Sequence, residues 1–120
     1  MQREGQGWRL ALDSSRSGHE ALIGGDGWAL ELTGEELQLL RLLCGRLVDQ
    51  HAALADQLMA EEAIEIALEQ ACWWLELSGN RDVWSLRFVL TSPDDRSAEG
   101  SWSCQASSAM ALALAQLDCC

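Results

Sequence analysis

The sequence predicts an α+β fold, an antiparallel sheet in the order β-β-α-β-β-β-β-α with a long central helix and a C-terminal helix. Three features carry this prediction. Apolar residues alternate with polar ones in several short runs, apolar positions recur at spacings of three and four over one long segment, and a capping signature opens that segment.

The first alternating run is Trp8 to Asp13. Trp8, Leu10 and Leu12 share one face, and Arg9, Ala11 and Asp13 the other, as in a strand with one wet side. Residues 14–20 read as a polar loop. A second strand resumes near Ala21, is interrupted at Gly24-Gly25-Asp26-Gly27 by a turn or bulge, and continues through Trp28, Leu30 and Leu32. No helix N-terminus follows these glycines, so a phosphate loop is not expected there.

Thr33 followed three residues later by Glu36 is a capping box, and Glu35 and Glu36 suit the positive end of a helix dipole. The helix is expected from about Glu35 to Leu58. Its stripe of Leu37, Leu40, Cys44, Leu47, His51, Leu54 and Leu58, widened by Leu39 and Leu43, faces the core. Cys44 and His51 stand about two helical turns apart, too far to bind one zinc ion, so they read as core.

Three more strands follow. Ile64, Ile66 and Leu68 alternate with Glu65, Ala67 and Glu69; Trp73, Leu75 and Leu77 with Trp74, Glu76 and Ser78; Trp84, Leu86, Phe88 and Leu90 with Ser85, Arg87 and Val89. Turns at Gln70-Ala71 and Gly79-Asn80-Arg81-Asp82 make this a meander. Sharing of one apolar face requires opposed residue numbers to sum to an odd number. Centring the turns on these residues sets Trp73 opposite Phe88, Leu75 opposite Leu86, Leu77 opposite Trp84 and Trp74 opposite Arg87. It also sets Glu65 opposite Glu76 and Ala67 opposite Trp74. A loop from Ser92 to Gly100, a short strand near Ser101 to Cys104 and a helix from Gln105 to Leu117 complete the chain. No internal repeat is evident, and residues 1–120 read as a single domain.

Composition limits function. The chain has 8 basic residues, all arginine, against 19 acidic ones, a net charge of −11. That field repels phosphate backbones and anionic lipid. No apolar run approaches a membrane span, and the N-terminus does not resemble a secretory signal, so a cytoplasmic protein is expected. Cys44, Cys72, Cys104, Cys119 and Cys120 are odd in number and form no Cys-x-x-Cys pair, unlike a disulfide framework. Terminal Cys119-Cys120 follows a helix with no polybasic spacer, so lipidation is not expected.

No catalytic constellation, cofactor motif or metal set stands out. Glu61, Glu62, Glu65, Glu69 and Glu76 suit a solvated sheet face better than a cation site. The pointed feature is Trp74 beside Arg87 on the outer face, flanked by Glu65, Glu69 and Glu76. An outward Trp asks for cover, and a stacked Arg adds about 0.5–1 kcal/mol.

Arg3-Glu-Gly-Gln-Gly-Trp-Arg-Leu10, Leu22-Ile-Gly-Gly-Asp-Gly-Trp-Ala-Leu-Glu-Leu-Thr33, Gln57-Leu-Met-Ala-Glu-Glu62, Trp84-Ser-Leu-Arg-Phe-Val-Leu90 and Glu99-Gly-Ser-Trp102 resemble the cyanobacterial domain-of-unknown-function 1818 family. The chain departs from the usual Trp-Pro in having Trp102-Ser103. The resemblance implies a cyanobacterial protein with a fold like the whirly-type single-stranded-DNA-binding transcriptional regulators, helix-swapped dimers of four strands followed by a helix. It carries no known activity or catalytic residue. Two functions follow as expectations: a non-enzymatic protein-interaction or regulatory module, expected to be a homodimer with a protein partner, and a single-stranded nucleic-acid binder, which the charge disfavours.

Overall fold

The structure, a computed structural model, describes residues 1–117. Its elements are β1 (Gln2–Gly5), β2 (Trp8–Leu12), β3 (Ala21–Gly25), β4 (Trp28–Leu32), α1 (Gly34–Ala55), β5 (Ile64–Gln70), β6 (Trp73–Gly79), β7 (Trp84–Thr91), β8 (Ser97–Trp102) and α2 (Ser107–Ala115). The α+β class and the alternation of strand blocks with helices are as expected. The strands form two antiparallel four-stranded sheets, β1-β2-β3-β4 and β5-β6-β7-β8. Four strands followed by a helix therefore occur twice along the chain, a repeat of architecture without an evident repeat of sequence.

The first block is finer than its sequence pattern. Gln2–Gly5 adds a strand whose four residues are all exposed, so no apolar alternation marks it. The Gly24–Gly27 stretch holds the tight turn between β3 and β4. The same turn joins β1 to β2. Gly5 pairs with Trp8 and Gly25 with Trp28, and the second glycine of each turn, Gly7 or Gly27, has φ of +80° or +79°. A Cβ on Gly5 or Gly25 would stand 2.3 or 2.4 Å from Trp8 Nε1 or Trp28 Nε1. Each indole thus lies close against the glycine opposite it, in space that a side chain there would fill.

Thr33 caps α1 as expected: its hydroxyl accepts from Glu36 N–H at 3.1 Å, and Glu36 Oε1 accepts from Thr33 N–H at 2.8 Å. Leu37, Leu40, Leu43, Cys44, Leu47 and His51 are buried, but Leu54 is 43% exposed and the helix ends at Ala55, short of Leu58. The stripe outruns the sheet it packs on. His51 Nε2 donates to the Asn80 carbonyl at 2.9 Å, and its ring lies 5.7 Å from that of Trp84. Burial pushes the Cys44 thiol up to about 12.

The helices cross over. α1 follows the first sheet yet lies mainly on β5 and β6, whereas α2 follows the second sheet and bridges β2 and β7. Arg41 Nε joins the two helices by donating to the Leu114 carbonyl at 3.1 Å. The sheets meet through aromatic rings. Trp28 lies 5.4 Å from both Phe88 and Trp102, Trp102 Nε1 donates to the Gly24 carbonyl at 2.9 Å, and Trp28 Nε1 donates to the Ser101 carbonyl at 3.2 Å. One contiguous core results, drawing on both sheets and both helices. No helix among the described residues is long and apolar enough to cross a membrane.

Candidate interaction surface

Strict alternation builds the surface. Residues 64, 66 and 68 of β5, 73, 75 and 77 of β6, and 84, 86, 88 and 90 of β7 point inward, so Glu65, Glu69, Trp74, Glu76 and Arg87 share the outer face. Both helices lie on the opposite side, against the inward residues. The five candidate residues are therefore together, on a face that no other element of the described chain covers.

The register differs from the expected one by one residue in each turn. Trp74 pairs with Val89 and Glu69, Glu76 with Arg87 and Ala67, and Glu65 with Ser78. On the inner face Trp73 pairs with Leu90, Leu75 with Phe88 and Leu77 with Leu86. The physical cause lies in the turns. Asn80 Oδ1 accepts from Asp82 N–H at 3.0 Å and Val83 N–H at 2.9 Å, and this closes the loop on the Gly79–Trp84 pair. The other turn is Ala71-Cys72, with Ala71 at φ +53°. Both shifts preserve the odd sum, so every residue keeps its face.

Trp74 and Arg87 meet as diagonal neighbours. The Arg87 guanidinium carbon sits 4.7 Å from the Trp74 ring centroid. Arg87 Nε lies 3.6 Å from Glu76 Oε1, with the two side chains 53% and 17% exposed. Glu76 thus holds one end of Arg87 while its guanidinium lies over the indole. Glu99, opposite Val89 on β8, adds a further outward carboxylate that the sequence pattern leaves in a loop.

Beside the start of β6 the surface turns into a concavity. A shallow hollow lined by Glu69, Trp74, Val89 and Thr91 adjoins a groove of about 670 Å³ between the α1 N-terminus and the β7–β8 turn, and the two share Ala71, Cys72 and Thr91. Behind its Glu36 and Asp94 lining, Arg96 binds both carboxylate oxygens of Glu36, with further bonds to Asp94 Oδ1 at 3.4 Å and the Glu31 carbonyl at 2.8 Å. Burial alone would raise the Glu36 carboxyl, but hydrogen bonds from Arg96 and Thr33 hold it below its usual range. Burial, helped by the Glu36 charge, raises the Cys72 thiol above its ordinary value.

Residues 3–117 match the family model for the domain of unknown function DUF1818. The chain belongs to the DUF1818 family. A crystal structure at 1.80 Å of a protein of unknown function from Prochlorococcus sp. NATL2A, described as of the DUF155 family, is 35% identical to this DUF1818 chain, covers 95% of each chain and superposes with a TM-score of 0.90. No curated protein matches the chain.

Among the described residues no three His, Cys, Asp or Glu side chains group as metal ligands. Cys119 and Cys120 lie outside the described residues.

Proposed function

We propose that this DUF1818 protein is a non-enzymatic interaction module that docks a protein partner on the outer face of β5–β8. One observation carries the reading: Trp74, stacked under Arg87, sits amid Glu65, Glu69, Glu76 and Glu99 on a face that no other element among the described residues covers. An aromatic anchor within a charged rim is the composition of a protein-binding patch. The surplus of carboxylates selects a partner with a basic surface and disfavours nucleic acid. Arg87 also occupies the indole face on which a base would stack. The shifted carboxyls support a non-catalytic reading, because capping and ion pairing account for Glu36, and local hydrogen bonds for Asp13 and Asp94.

Self-association belongs to the same proposal, through a different surface. Two copies of the sheet face would set glutamates against glutamates. α2 carries no charged residue, and its Leu112 is 57% exposed. In a chain of net charge −11 a second copy approaches best where charge is lacking. Unpaired Cys44, Cys72 and Cys104 suit the reducing cytoplasm. The Prochlorococcus relative supports a cyanobacterial source, and the twice-occurring four strands and helix support the whirly-like grouping.

The test is capture by a tagged chain from nuclease-treated lysate, beside the variant pair Trp74→Ala and Arg87→Glu. Expected is a basic protein retained by the native chain and lost by both variants. Equal retention by the variants moves the docking site elsewhere. Submicromolar, steeply salt-dependent binding of a labelled single-stranded oligonucleotide, lost in the same variants, replaces the protein partner by nucleic acid.

A further inference from the structure

The groove next to the docking face has a composition of its own. Its apolar wall is built from Leu39, Ala71 and Pro93, and Cys72 also lines it. Glu35 stands at the groove and Glu69 at the adjoining hollow, and neither has an ion-pair partner among the described residues. Of the arginines near this end, Arg96 is held by Glu36 and Asp94, and Arg46 donates to Gln70 Oε1 at 3.1 Å. The pull of the α1 N-terminus on anions is already met by the Glu36 carboxylate in the capping box. The hollow and groove share Ala71, Cys72 and Thr91, so a chain lying across Trp74 and Val89 runs on into the groove without leaving the surface.

We infer that this groove receives an apolar side chain of a basic, extended segment of the partner, whose Arg or Lys residues meet Glu35 and Glu69. The inference rests on the docking face proposed above and names the chemistry of what docks. Charge complementarity decides the occupant. The walls exclude water from a small apolar side chain, and the unpaired carboxylates on either side reject an acidic segment. A second copy of this acidic chain fits poorly for the same reason.

Cys72 reports occupancy directly. The probe is an octapeptide of alternating Arg and Leu, with alternating Arg-Ser and Glu-Leu octapeptides as comparators. Alkylation of Cys72 by iodoacetamide is followed by peptide mass spectrometry, with exposed Cys104 as internal reference. The Arg-Leu peptide is expected to slow Cys72 alkylation about tenfold or more at saturation, equivalent to about 1.4 kcal/mol, and to leave Cys104 unchanged. The Arg-Ser peptide should protect far less and the Glu-Leu peptide not at all. Thr91→Arg, an exposed change at the groove mouth, should abolish protection, as should Leu39→Glu. Unaltered Cys72 alkylation with the Arg-Leu peptide, or equal protection by Glu-Leu, overturns the inference. The pair Trp74→Ala and Arg87→Glu separates the two readings. Protection that survives both keeps the groove and removes the sheet face, whereas partner capture that needs Trp74 without any Cys72 protection keeps the face and removes the groove.

Discussion

The Arg87 guanidinium lies over the Trp74 indole, 4.7 Å from its centroid, although the two residues are not cross-strand partners. Val89 faces Trp74 directly, and Glu76 faces Arg87. The diagonal contact should show as coupling. A double-mutant cycle of Trp74→Ala and Arg87→Ala, followed by denaturant unfolding, should give an interaction free energy of about 0.5–1 kcal/mol. Strict additivity would mean that the stack does not persist in solution.

Leu47 and Leu54 recur in one sequence stripe, but only Leu47 is fully buried. Leu47→Ala should cost about 2–5 kcal/mol. Leu54→Ala should cost less than about 1 kcal/mol, since the helix has passed the edge of the core. Equal losses at both sites would place the C-terminal turn of α1 against the sheet.

These two leucines show what the pattern could carry. Helical spacing marks which residues lie on one side of α1, but where the supporting sheet stops is a property of β5 and β6, not of the stripe. The outer-face residues were legible for a firmer reason. A period of two survives a one-residue shift of both turns, so Glu65, Glu69, Trp74, Glu76 and Arg87 hold their face while every cross-strand partner changes. The groove at Cys72 was not legible, because Leu39, Cys72 and Pro93 come from three separated segments and meet only when α1 crosses to the second sheet. β1 was invisible because its side chains are all exposed and bury no apolar face.

Arg96 ties the β7–β8 turn to the first turn of α1 through Glu36. The folded-state pKa of Glu36 is depressed, so this contact stabilises the protein above the unfolded carboxylate pKa, and the gain is lost as pH falls through the folded value. Glu36→Gln should flatten stability against pH in that acid window. Arg96→Ala should destabilise by about 1–3 kcal/mol near neutrality, because it strands a buried carboxylate. An Arg96→Ala protein as stable as the native one would remove Arg96 from this role.

Ala71 has a left-handed backbone at φ +53°, a conformation that costs a Cβ-bearing residue about 1–2 kcal/mol relative to glycine. Ala71→Gly should raise stability by up to about 1 kcal/mol after the added flexibility of the unfolded chain is counted. A loss of stability would show that the turn relaxes to another geometry.

Gly100 is the reverse case. A Cβ there would stand 2.9 Å from Phe88 Cζ and 3.1 Å from Trp28 Cζ2, where the two sheets join. Gly100→Ala should destabilise by about 1–3 kcal/mol through overpacking of these rings. An unchanged unfolding midpoint would mean that the rings yield freely.

Self-association should appear in light scattering at micromolar concentration as a mass near twice 13.2 kDa. Leu112→Glu should return it to a monomer. A native chain that stays monomeric, or a dimer indifferent to Leu112→Glu, counts against pairing through α2.

The claim that the outer face of β5–β8 docks a protein is met most directly by photocrosslinking from its centre. Ala67 is exposed on that face, and Ala29 is exposed on the outer side of the first sheet. A benzophenone side chain at position 67, irradiated in nuclease-treated lysate, should join a basic protein, with little product from position 29. Crosslinks from position 29 alone, or products from position 67 that form only in lysate left untreated with nuclease, would contradict the account.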